Sequence, residues 1–566
     1  MKHIAVRLGQ GFSDFIRSER HHGQVAGFEH GLKQSVVAPR VIPLFILFTL
    51  ILGILFIRLF WVTLVRGAYY KGLADGNRVN EEIIWAERGV IYDRNNKELT
   101  LNKPIYRRGS WSKEKGQSYV YYTQEEYIKL EAADKSEGIE EFVTRYYPNG
   151  SIFAHSIGYV GEVDLEDVES GKQIGSLIGK SGLEKIYDND LRGREGKVLR
   201  ETNAIGEDLK ELDHIDPVPG TNLHTTLDIS LQTIAAQAMG DKPGAVVVTI
   251  PTTGEVLVIY SNPSFDPNTF VDRNNVSLIN SYFESDLQPL FNRAIGGLYP
   301  PGSTFKIIAA AAALESGAID ADTIFTDNGF IQIGRFIYRN WYFTQYGRTE
   351  GEVDIVKALG RSVDTYFYEL GGATGIEELV TYAKLFGIGQ ITGITLPGEL
   401  AGRMPDPEWK QSTKNDRWYL GDTYITSIGQ GDILTTPLQV NLFTSTIANQ
   451  GKLCKPLLTQ SKPDCTSLKL AQETIDLIVS GMVKACEPGG TGFPFFDYKV
   501  KVACKTGTAE FGHKDKTHAW FTVFAPADSP EISVTVLLEE GGAGSADAAP
   551  IAKEILDEYF KIQKRA

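Results

Sequence analysis

The chain has 566 residues, of which 42% are hydrophobic, so it is long enough to bury two or three domain cores and its composition excludes a disordered or fibrous protein. Its formal net charge of −14 argues against a nucleic-acid partner, since a surface that binds phosphates needs clustered Lys and Arg. These values predict a globular protein that does not bind nucleic acid.

The first predicted element is a transmembrane signal anchor at 41–65, an apolar run that only Arg58 interrupts. About 20 apolar residues cross the hydrocarbon core of a membrane as a helix. A cleaved signal peptide would have a shorter apolar core and a small-residue cleavage site, so we expect an uncleaved anchor behind a leader of residues 1–40. Arg58 is expected to reach the nearer interface, with a partner contact inside the membrane as the alternative. The Lys and Arg counts beside the run do not decide its orientation.

A small mixed α and β domain is predicted next, at 78–215. Its segment 88–95 indicates a short strand that leads into a turn, and 182–196 indicates a helix followed by a glycine-containing end. Segment 175–181 is similar to a phosphate-binding loop, but it has three residues between its glycines where that loop needs four. We therefore expect no nucleotide site there.

A larger domain is predicted at 240–562. Two runs of β-branched residues, 245–250 and 255–260, indicate a hairpin around a Pro- and Gly-containing turn. After a long, mainly helical stretch, three further strands are predicted at 499–511, 519–524 and 531–538, and a closing helix at 551–560. Periodicity alone gives only an α+β or α/β class.

Three short motifs in this domain carry chemistry when they are taken together. Ser303 and Lys306 follow a predicted turn, Ser362-Val363-Asp364 comes later, and Lys505-Thr506-Gly507-Thr508 comes last. A serine needs a base within hydrogen-bond reach to act as a nucleophile, and residues at i and i+3 of a helix share one face. Each motif alone occurs elsewhere by chance, whereas their order in one domain indicates a nucleophilic serine enzyme.

Lys306 is the candidate base. An amine can accept a proton only when it is neutral, which a desolvated pocket with a second cation nearby promotes, and Lys505 could be that cation. Replacing Lys306 by Ala is expected to remove a base and not a core contact.

The three motifs resemble the S-x-x-K, S-x-N and K-T-G motifs of the penicillin-binding proteins and serine β-lactamases. The pedestal of class B penicillin-binding proteins is similar to segments 88–95, 145–148, 155–161 and 182–196. The elongation-type class B enzyme is similar to segments 362–369, 404–410, 421–423 and 427–431, and the resemblance covers nearly all of 78–560. It implies an α/β transpeptidase domain, in which helices cover both sides of an antiparallel sheet, together with a small mixed pedestal domain and one N-terminal transmembrane helix.

The resemblance also implies an activity, peptidoglycan D,D-transpeptidation in cell-wall elongation and cell shape. Ser303 would attack the peptide bond between two D-alanines of a stem peptide and form an acyl-enzyme, which β-lactams also form. Lys306 would accept the Ser303 proton, and Ser362 would relay a proton towards the leaving amine. The backbone N–H groups of Ser303 and Thr508 would form the oxyanion hole.

The remaining motif residues are implied to bind substrate. Lys505, with Thr506, Gly507 and Thr508, would hold the terminal carboxylate of the stem peptide. Asp364 stands where the more general pattern has Asn, and a carboxylate close to Lys306 would oppose its role as a base unless Lys505 absorbs the interaction.

Location and partners follow from the same resemblance. The catalytic domain is expected outside the cytoplasm, tethered to the plasma membrane by a single span. No glycosyltransferase domain fits before the pedestal, so a polytopic SEDS-type glycosyltransferase is the implied partner. The tract 102–145 is short for the family, so the contacts of the larger head region are not carried over.

All four cysteines lie in the part of the chain expected outside the cytoplasm, where disulfides persist. Side chains alternate across a strand, so if Lys505 faces the cleft, Cys504 faces away from it, towards a helix predicted just before Cys486. We expect a Cys486–Cys504 bridge and a second pair, Cys454 with Cys465, with free buried thiols as the alternative.

No cofactor or metal is expected. The Cys and His spacings do not form a structural metal motif, and His513 and His518 are interpreted as parts of a polar loop. The segment Gly429-Gln430-Gly431 is either a plain loop or part of the cleft lining.

Four other functions stay open at this point. A division-type class B transpeptidase differs in its cellular role, and a D,D-carboxypeptidase uses water in place of the acceptor amine. A β-lactam sensor normally needs several spans or a cytoplasmic effector, but only about 40 residues precede the single span. The intact motifs disfavour a catalytically silent scaffold of the wall-synthesis complex.

Overall fold

The computed structural model describes residues 41–76, 79–112, 116–170, 172, 175–203, 208–271, 275–510 and 516–564. The chain divides into two compact units. The first contains the described residues up to Asn80 and those of Arg200–Lys210, and the second contains Glu81–Leu199 and the described residues from Glu211 onwards. The leader predicted at 1–40 lies outside the described residues.

The first unit carries the predicted membrane span. It contains helix α1 (Val41–Phe60), a π-helical turn (Trp61–Val65) and helix α2 (Gly67–Gly76). Ile42–Val65 is 24 residues long, and its most apolar stretch is not buried by the rest of the protein. Among the described residues it is the single helix whose length and composition allow it to cross a membrane.

The region predicted as the small mixed domain is built from short elements. Its strands are β1 (Val79–Ile84), β2 (Ile91–Tyr92), β3 (Leu101–Ser112), β4 (Gly116–Tyr122), β5 (Ile139–Tyr146), β6 (Val160–Glu162), β7 (Leu177–Gly179), β8 (Gly196–Thr202), β9 (Asp208–Ile215) and β10 (Leu223–His224). Its helices are α3 (Gln124–Ala132), α4 (Ala154–Ile157), α5 (Leu165–Glu169), α6 (Gly182–Ile186) and α7 (Asp188–Arg192). The helix predicted from residue 182 is thus two short helices that meet at Tyr187.

A buried charge cluster joins these elements. Glu184 of α6 is fully buried and accepts hydrogen bonds from Arg88 Nε at 2.7 Å and Arg145 Nε at 2.6 Å. Arg88 also donates to Asp188 Oδ1 at 2.9 Å. A carboxylate without solvent is stable only when it is paired, and here one carboxylate holds two guanidinium groups from segments far apart in the chain.

The larger domain has a mainly helical insertion between two sets of strands. Its helices are α8 (Ile229–Met239), α9 (Asn268–Val271), α10 (Val276–Glu284), α11 (Arg293–Gly296), α12 (Lys306–Glu315), α13 (Trp341–Tyr346), α14 (Ile355–Arg361), α15 (Asp364–Thr374), α16 (Ile376–Leu385), α17 (Pro407–Lys414), α18 (Leu420–Ser427), α19 (Pro437–Ala448), α20 (Gln472–Ala485) and α21 (Ala549–Gln563). Its strands are β11 (Gly244–Thr249), β12 (Val256–Asn262), β13 (Phe325–Asp327), β14 (Phe330–Ile333), β15 (Phe336–Arg339), β16 (Gly351–Val353), β17 (Lys452–Cys454), β18 (Cys465–Ser467), β19 (Ala503–Glu510), β20 (Thr517–Ala525) and β21 (Ile532–Leu538).

The central sheet has five strands in the order β12-β11-β21-β20-β19, and every neighbouring pair is antiparallel. Alternate residues of β20 enter two different hydrophobic cores. Phe521 and Val523 pack with α8 and α21 on one side, whereas Trp520 and Phe524 pack with α12 and α19 on the other. The predicted antiparallel sheet with helices on both sides is therefore confirmed.

The boundaries of several predicted elements shift. The strand predicted from residue 499 begins at Ala503, and the predicted end at Phe511 lies outside the described residues. The hairpin has a register shift between Val248 and Thr249, where β11 bulges against β12.

Helix α12 lies at the centre of the larger core. Residues from Lys306 to Ala313 are all buried, five of them alanines in succession. A helix that is apolar all round is a core helix, and small side chains let its neighbours approach closely. Helices α15, α16 and α20 contact α12, so the helix that follows Ser303 has little room to move.

Candidate active site

Ser303 lies in a tight 3₁₀ turn, Gly302–Phe305, that leads directly into α12. The sequence predicts one continuous α-helix here, whereas in the structure its first turn is a 3₁₀ helix and the α-helix begins at Lys306. Gly302 has φ +53°, and a Cβ at this position would lie 3.0 Å from the Thr508 carbonyl oxygen. Glycine therefore allows the turn and β19 to come together.

Three further contacts fix this turn. The backbone of Tyr299 exchanges two hydrogen bonds with Thr435, at 3.0 and 2.9 Å. Trp520 Nε1 donates to the Pro300 carbonyl at 2.9 Å. These bonds hold the chain just before Ser303 against both the sheet and the loop that precedes α19.

Lys306, the first residue of α12, is fully buried. Its Nζ donates to Asp364 Oδ1 at 2.7 Å, to the Ser362 carbonyl at 2.9 Å and to Ser362 Oγ at 3.2 Å. Among the described residues, Ser303 Oγ has no hydrogen-bond partner, so the predicted contact with Lys306 is not made in this structure. The contacts of Lys306 also show that the amine is part of the core, and the expectation that it makes no core contact is wrong.

Ser362 connects the two lysines. It ends α14 with φ +54° and ψ +43°, a left-handed conformation that turns the chain into α15. Its Oγ accepts from Lys505 Nζ at 2.9 Å as well as from Lys306. The three sequence motifs therefore meet around one hydroxyl group.

Strand β19 is the edge strand of the sheet and carries the third motif. Lys505 is fully buried, and its Nζ also donates to the Thr506 carbonyl at 3.0 Å. The Thr506 hydroxyl bonds to Thr491 Oγ1 at 2.9 Å, and alternation along a strand directs it to the face opposite Lys505. Thr508 is exposed. The expectation that Lys505 and the residues 506–508 together bind the terminal carboxylate of the stem peptide stays a prediction.

Asp364, the first residue of α15, is held in place from both sides. Its Oδ2 accepts from the Trp341 backbone N–H at 3.0 Å, and its own N–H donates to Asn340 Oδ1 at 3.2 Å. The sequence leaves open whether Asp364 acts on Lys306 or Lys505 absorbs the interaction, and the structure pairs the carboxylate directly with Lys306.

Burial lowers the pKa of Lys306, and Asp364 partly offsets this by raising it. Burial also lowers the pKa of Lys505 well below its usual value, and the charge of Lys306 lowers it further. One carboxylate can neutralise one ammonium group. The cluster of two buried amines and one carboxylate therefore favours one neutral lysine.

Sequence reasoning missed two groups that touch the site and left a third undecided. Trp341 and Asn340 hold Asp364, and no motif signals them. Gln430, in the segment that was either a loop or cleft lining, donates through Nε2 to the Thr508 carbonyl at 3.1 Å.

The cysteines form two disulfides, Cys486–Cys504 with a Cα–Cα distance of 6.0 Å and Cys454–Cys465 with 3.9 Å. Cys504 lies in the core on the side of α21, opposite Lys505.

No cluster of His, Cys, Asp and Glu among the described residues could hold a metal ion. His518 is buried in β20, and His513 lies outside the described residues.

Comparison with known families agrees with this geometry. The model of the penicillin binding protein transpeptidase domain matches residues 244–557, and that of the penicillin-binding protein dimerisation domain matches residues 121–225. The chain belongs to the penicillin-binding proteins. It is a peptidoglycan D,D-transpeptidase of the elongation type.

Individual relatives cover most of the chain. Peptidoglycan D,D-transpeptidase MrdA of Acinetobacter baumannii is 33% identical over 88% of this chain and 84% of the relative. The solved complex between penicillin-binding protein PBP2 and MreC from Helicobacter pylori has a TM-score of 0.76 and 29% identity, over 86% of this chain and 99% of the relative. A second solved structure comes from work on the structural coordination of polymerization and crosslinking by a peptidoglycan synthase complex. It has a TM-score of 0.74 and 28% identity, over 93% of this chain and 99% of the relative.

Proposed function

We propose that Ser303 is the nucleophile of this penicillin-binding transpeptidase. The observation that supports it is the meeting of the three motifs around Ser362 Oγ, to which Lys306, one helical turn after Ser303, donates at 3.2 Å. In the first step a bond forms between Ser303 Oγ and the carbonyl carbon of the penultimate D-alanine, and the bond to the terminal D-alanine nitrogen breaks. The acceptor amine of a neighbouring stem peptide then attacks the ester, and Ser303 regains its proton.

Lys306 accepts the proton of Ser303 after it has itself become neutral. The terminal carboxylate of the stem peptide binds beside Lys505 and favours the charged form of that amine. A proton then passes from Lys306 through Ser362 Oγ to Lys505, along the contacts of 3.2 and 2.9 Å. Binding of the correct substrate thus creates the base. Lys306 later returns the proton from Ser303 to the leaving amine, with Ser362 as the relay.

The carbonyl oxygen becomes an oxyanion in this reaction. The backbone N–H groups of Ser303 and Thr508 stabilise it, since the turn and the edge strand meet at Gly302. Thr506, Gly507 and Thr508 align the peptide along β19. Asp364, first expected to bind substrate, is better assigned to holding Lys306, because both of its carboxylate oxygens are already engaged.

The domains have separate tasks. We assign 1–40 to a cytoplasmic leader, 41–65 to a single-pass anchor in the plasma membrane, 78–215 to a pedestal and 240–562 to the transpeptidase domain outside the cytoplasm. The apolar helix and the two family matches support this division.

Partners are proposed from the relatives. The Helicobacter pylori relative was solved with MreC, and another relative comes from a peptidoglycan synthase complex that links polymerization to crosslinking. We infer that this chain binds an MreC-like protein and a SEDS-type glycosyltransferase, which would supply the glycan strands that it cross-links.

The test combines labelling with product analysis. Purified full-length protein is incubated with fluorescent penicillin, and separately with stem-peptide substrate and an acceptor amine, and products are identified by mass spectrometry. The wild type should label and form cross-linked peptide, and Ser303→Ala should do neither. Ser316→Ala, at the far end of the same helix, is the matched control and should behave as the wild type. Labelling of Ser303→Ala would refute the assignment, and hydrolysed peptide alone would refute transpeptidation.

A further inference from the structure

The segment Gly429-Gln430-Gly431, here termed the 429–431 loop, touches both walls of the cleft. The Gly429 carbonyl accepts a hydrogen bond from the Gly302 N–H at 2.9 Å. The next residue, Gln430, donates through its side-chain amide to the Thr508 carbonyl at 3.1 Å. Two successive residues of one loop therefore bind the turn of the nucleophile and the strand opposite it.

Close packing and hydrogen bonds hold the 429–431 loop in one position. Gly429 has φ +72°, and a Cβ there would lie 2.1 Å from the Gly302 carbonyl oxygen, so only glycine permits this approach. The Gln430 N–H donates to the Ile425 carbonyl at 3.0 Å, which continues α18 into the loop. Ser427 Oγ, at the end of α18, donates to the Phe367 carbonyl at 2.8 Å. The loop is thus tied to α15, the helix that carries Asp364.

The hydrogen bond from Gln430 shows in which direction the backbone groups of Thr508 point. In an antiparallel strand the N–H and C=O of one residue point to the same edge. The Thr508 carbonyl points to Gln430, away from β20, and the Thr506 carbonyl, two residues earlier, also points away from β20, towards Lys505 Nζ. The Thr508 N–H therefore faces the open edge of the sheet, on the side of Ser303.

From these contacts we propose that Gln430 is a positioning residue, which fixes the spacing of the two oxyanion donors, the N–H groups of Ser303 and Thr508. The Gln430 amide holds the Thr508 carbonyl, while the Gly429 carbonyl holds the N–H of Gly302, the residue just before Ser303. The inference rests on the proposed function, because it needs these two N–H groups to act on the carbonyl under attack. It adds a residue outside the three motifs to the determinants of the acylation rate.

The test compares Gln430→Glu and Gln430→Ala with the wild-type full-length protein. Glu has the shape of Gln but no amide donor, so at neutral pH it cannot hold the Thr508 carbonyl. Gln411→Glu makes the same chemical change at an exposed position of helix α17 and is the matched control. Stopped-flow reaction with a chromogenic β-lactam separates the acylation rate constant from the dissociation constant of the initial complex, and a boronic acid probes the tetrahedral geometry.

We expect both Gln430 variants to acylate about 10- to 100-fold more slowly, since small displacements of groups that act on the transition state are costly. The initial dissociation constant and the melting temperature should not change, while the boronic acid should bind more weakly in proportion to the lost rate. A wild-type acylation rate in Gln430→Glu would overturn the proposal. A change confined to the dissociation constant would also overturn it, since Gln430 would then be a substrate-binding residue. Failure of the proposed function itself is read separately, from labelling of Ser303→Ala.

Discussion

Lys306 Nζ and Asp364 Oδ1 lie 2.7 Å apart, and the two residues are the first positions of helices α12 and α15. The lysine is fully buried, whereas the Asp364 side chain keeps 13% of its exposure. The proposed base is thus paired in the resting site with the carboxylate that most opposes its deprotonation. This pairing makes the pH dependence of acylation a direct probe of the mechanism.

Asp364→Asn should move the acidic limb of acylation to lower pH. The rate rises with pH as the Lys306 amine loses its proton, and Asp364 raises the pKa of that amine while burial lowers it. Removal of the carboxylate leaves burial unopposed, so the pKa falls and the neutral amine persists at lower pH. The measurement is the acylation rate with a β-lactam from acidic to neutral pH.

The control for this experiment is Glu369→Gln, an exposed position on the same helix, which should leave the limb in place. If the acidic limb of the pH–rate profile does not move in Asp364→Asn, or moves to higher pH, another group is the base.

Lys306→Ala should abolish acylation and also destabilise the fold. It leaves the Asp364 carboxylate without its cation, and the loss of one partner of a buried pair costs about 3 kcal/mol or more. The double variant Lys306→Met with Asp364→Asn removes both charges and fills the space, so it should recover much of the melting temperature and remain inactive. If the single variant melts as the wild type, the pair does not stabilise the fold. If it keeps the wild-type acylation rate, Lys306 is not the base.

The Cys486–Cys504 bridge should stabilise the strand that carries Lys505. It closes 18 residues, for which the chain-entropy model gives about 3 kcal/mol. Cys486→Ser with Cys504→Ser should therefore lower both the melting temperature and the acylation rate, whereas the same double change at Cys454 and Cys465 should spare the rate. Peptide mapping without reduction should recover the cross-link, and four alkylatable thiols under oxidising conditions would contradict it.

Glu184→Gln should destabilise the pedestal by about 3 to 5 kcal/mol, since it leaves Arg88 and Arg145 without the carboxylate that both of them bind. The change is read by thermal melting. Asp528→Asn, in an exposed pair with Lys501, is the control and should change little. Equal melting of the two variants would show that the buried cluster contributes no more than a surface pair.

The sequence is most informative where a local pattern decides the structure. Runs of β-branched residues predict the first two strands of the sheet, and all five strands begin within four residues of their predicted starts. The motif order predicts that Ser303, Ser362 and Lys505 belong to one site. The sequence raises a contact between Asp364 and Lys306 without deciding it, and the Gln430–Thr508 bond could not be predicted, because no motif links these two residues. Their geometry depends on how α12, α15 and α18 pack, which no local pattern contains.

The turn that carries Ser303 is fastened by Thr435, by Trp520 and by the 429–431 loop, and it runs straight into a helix enclosed on all sides. With Ser303 as the proposed nucleophile, a stem peptide and a β-lactam meet the same firmly held hydroxyl group, and a substitution that displaces the turn is expected to slow both reactions together. Selection for antibiotic resistance would gain nothing from such a change. Resistance is instead expected from substitutions of cleft groups that contact the β-lactam but not the stem peptide.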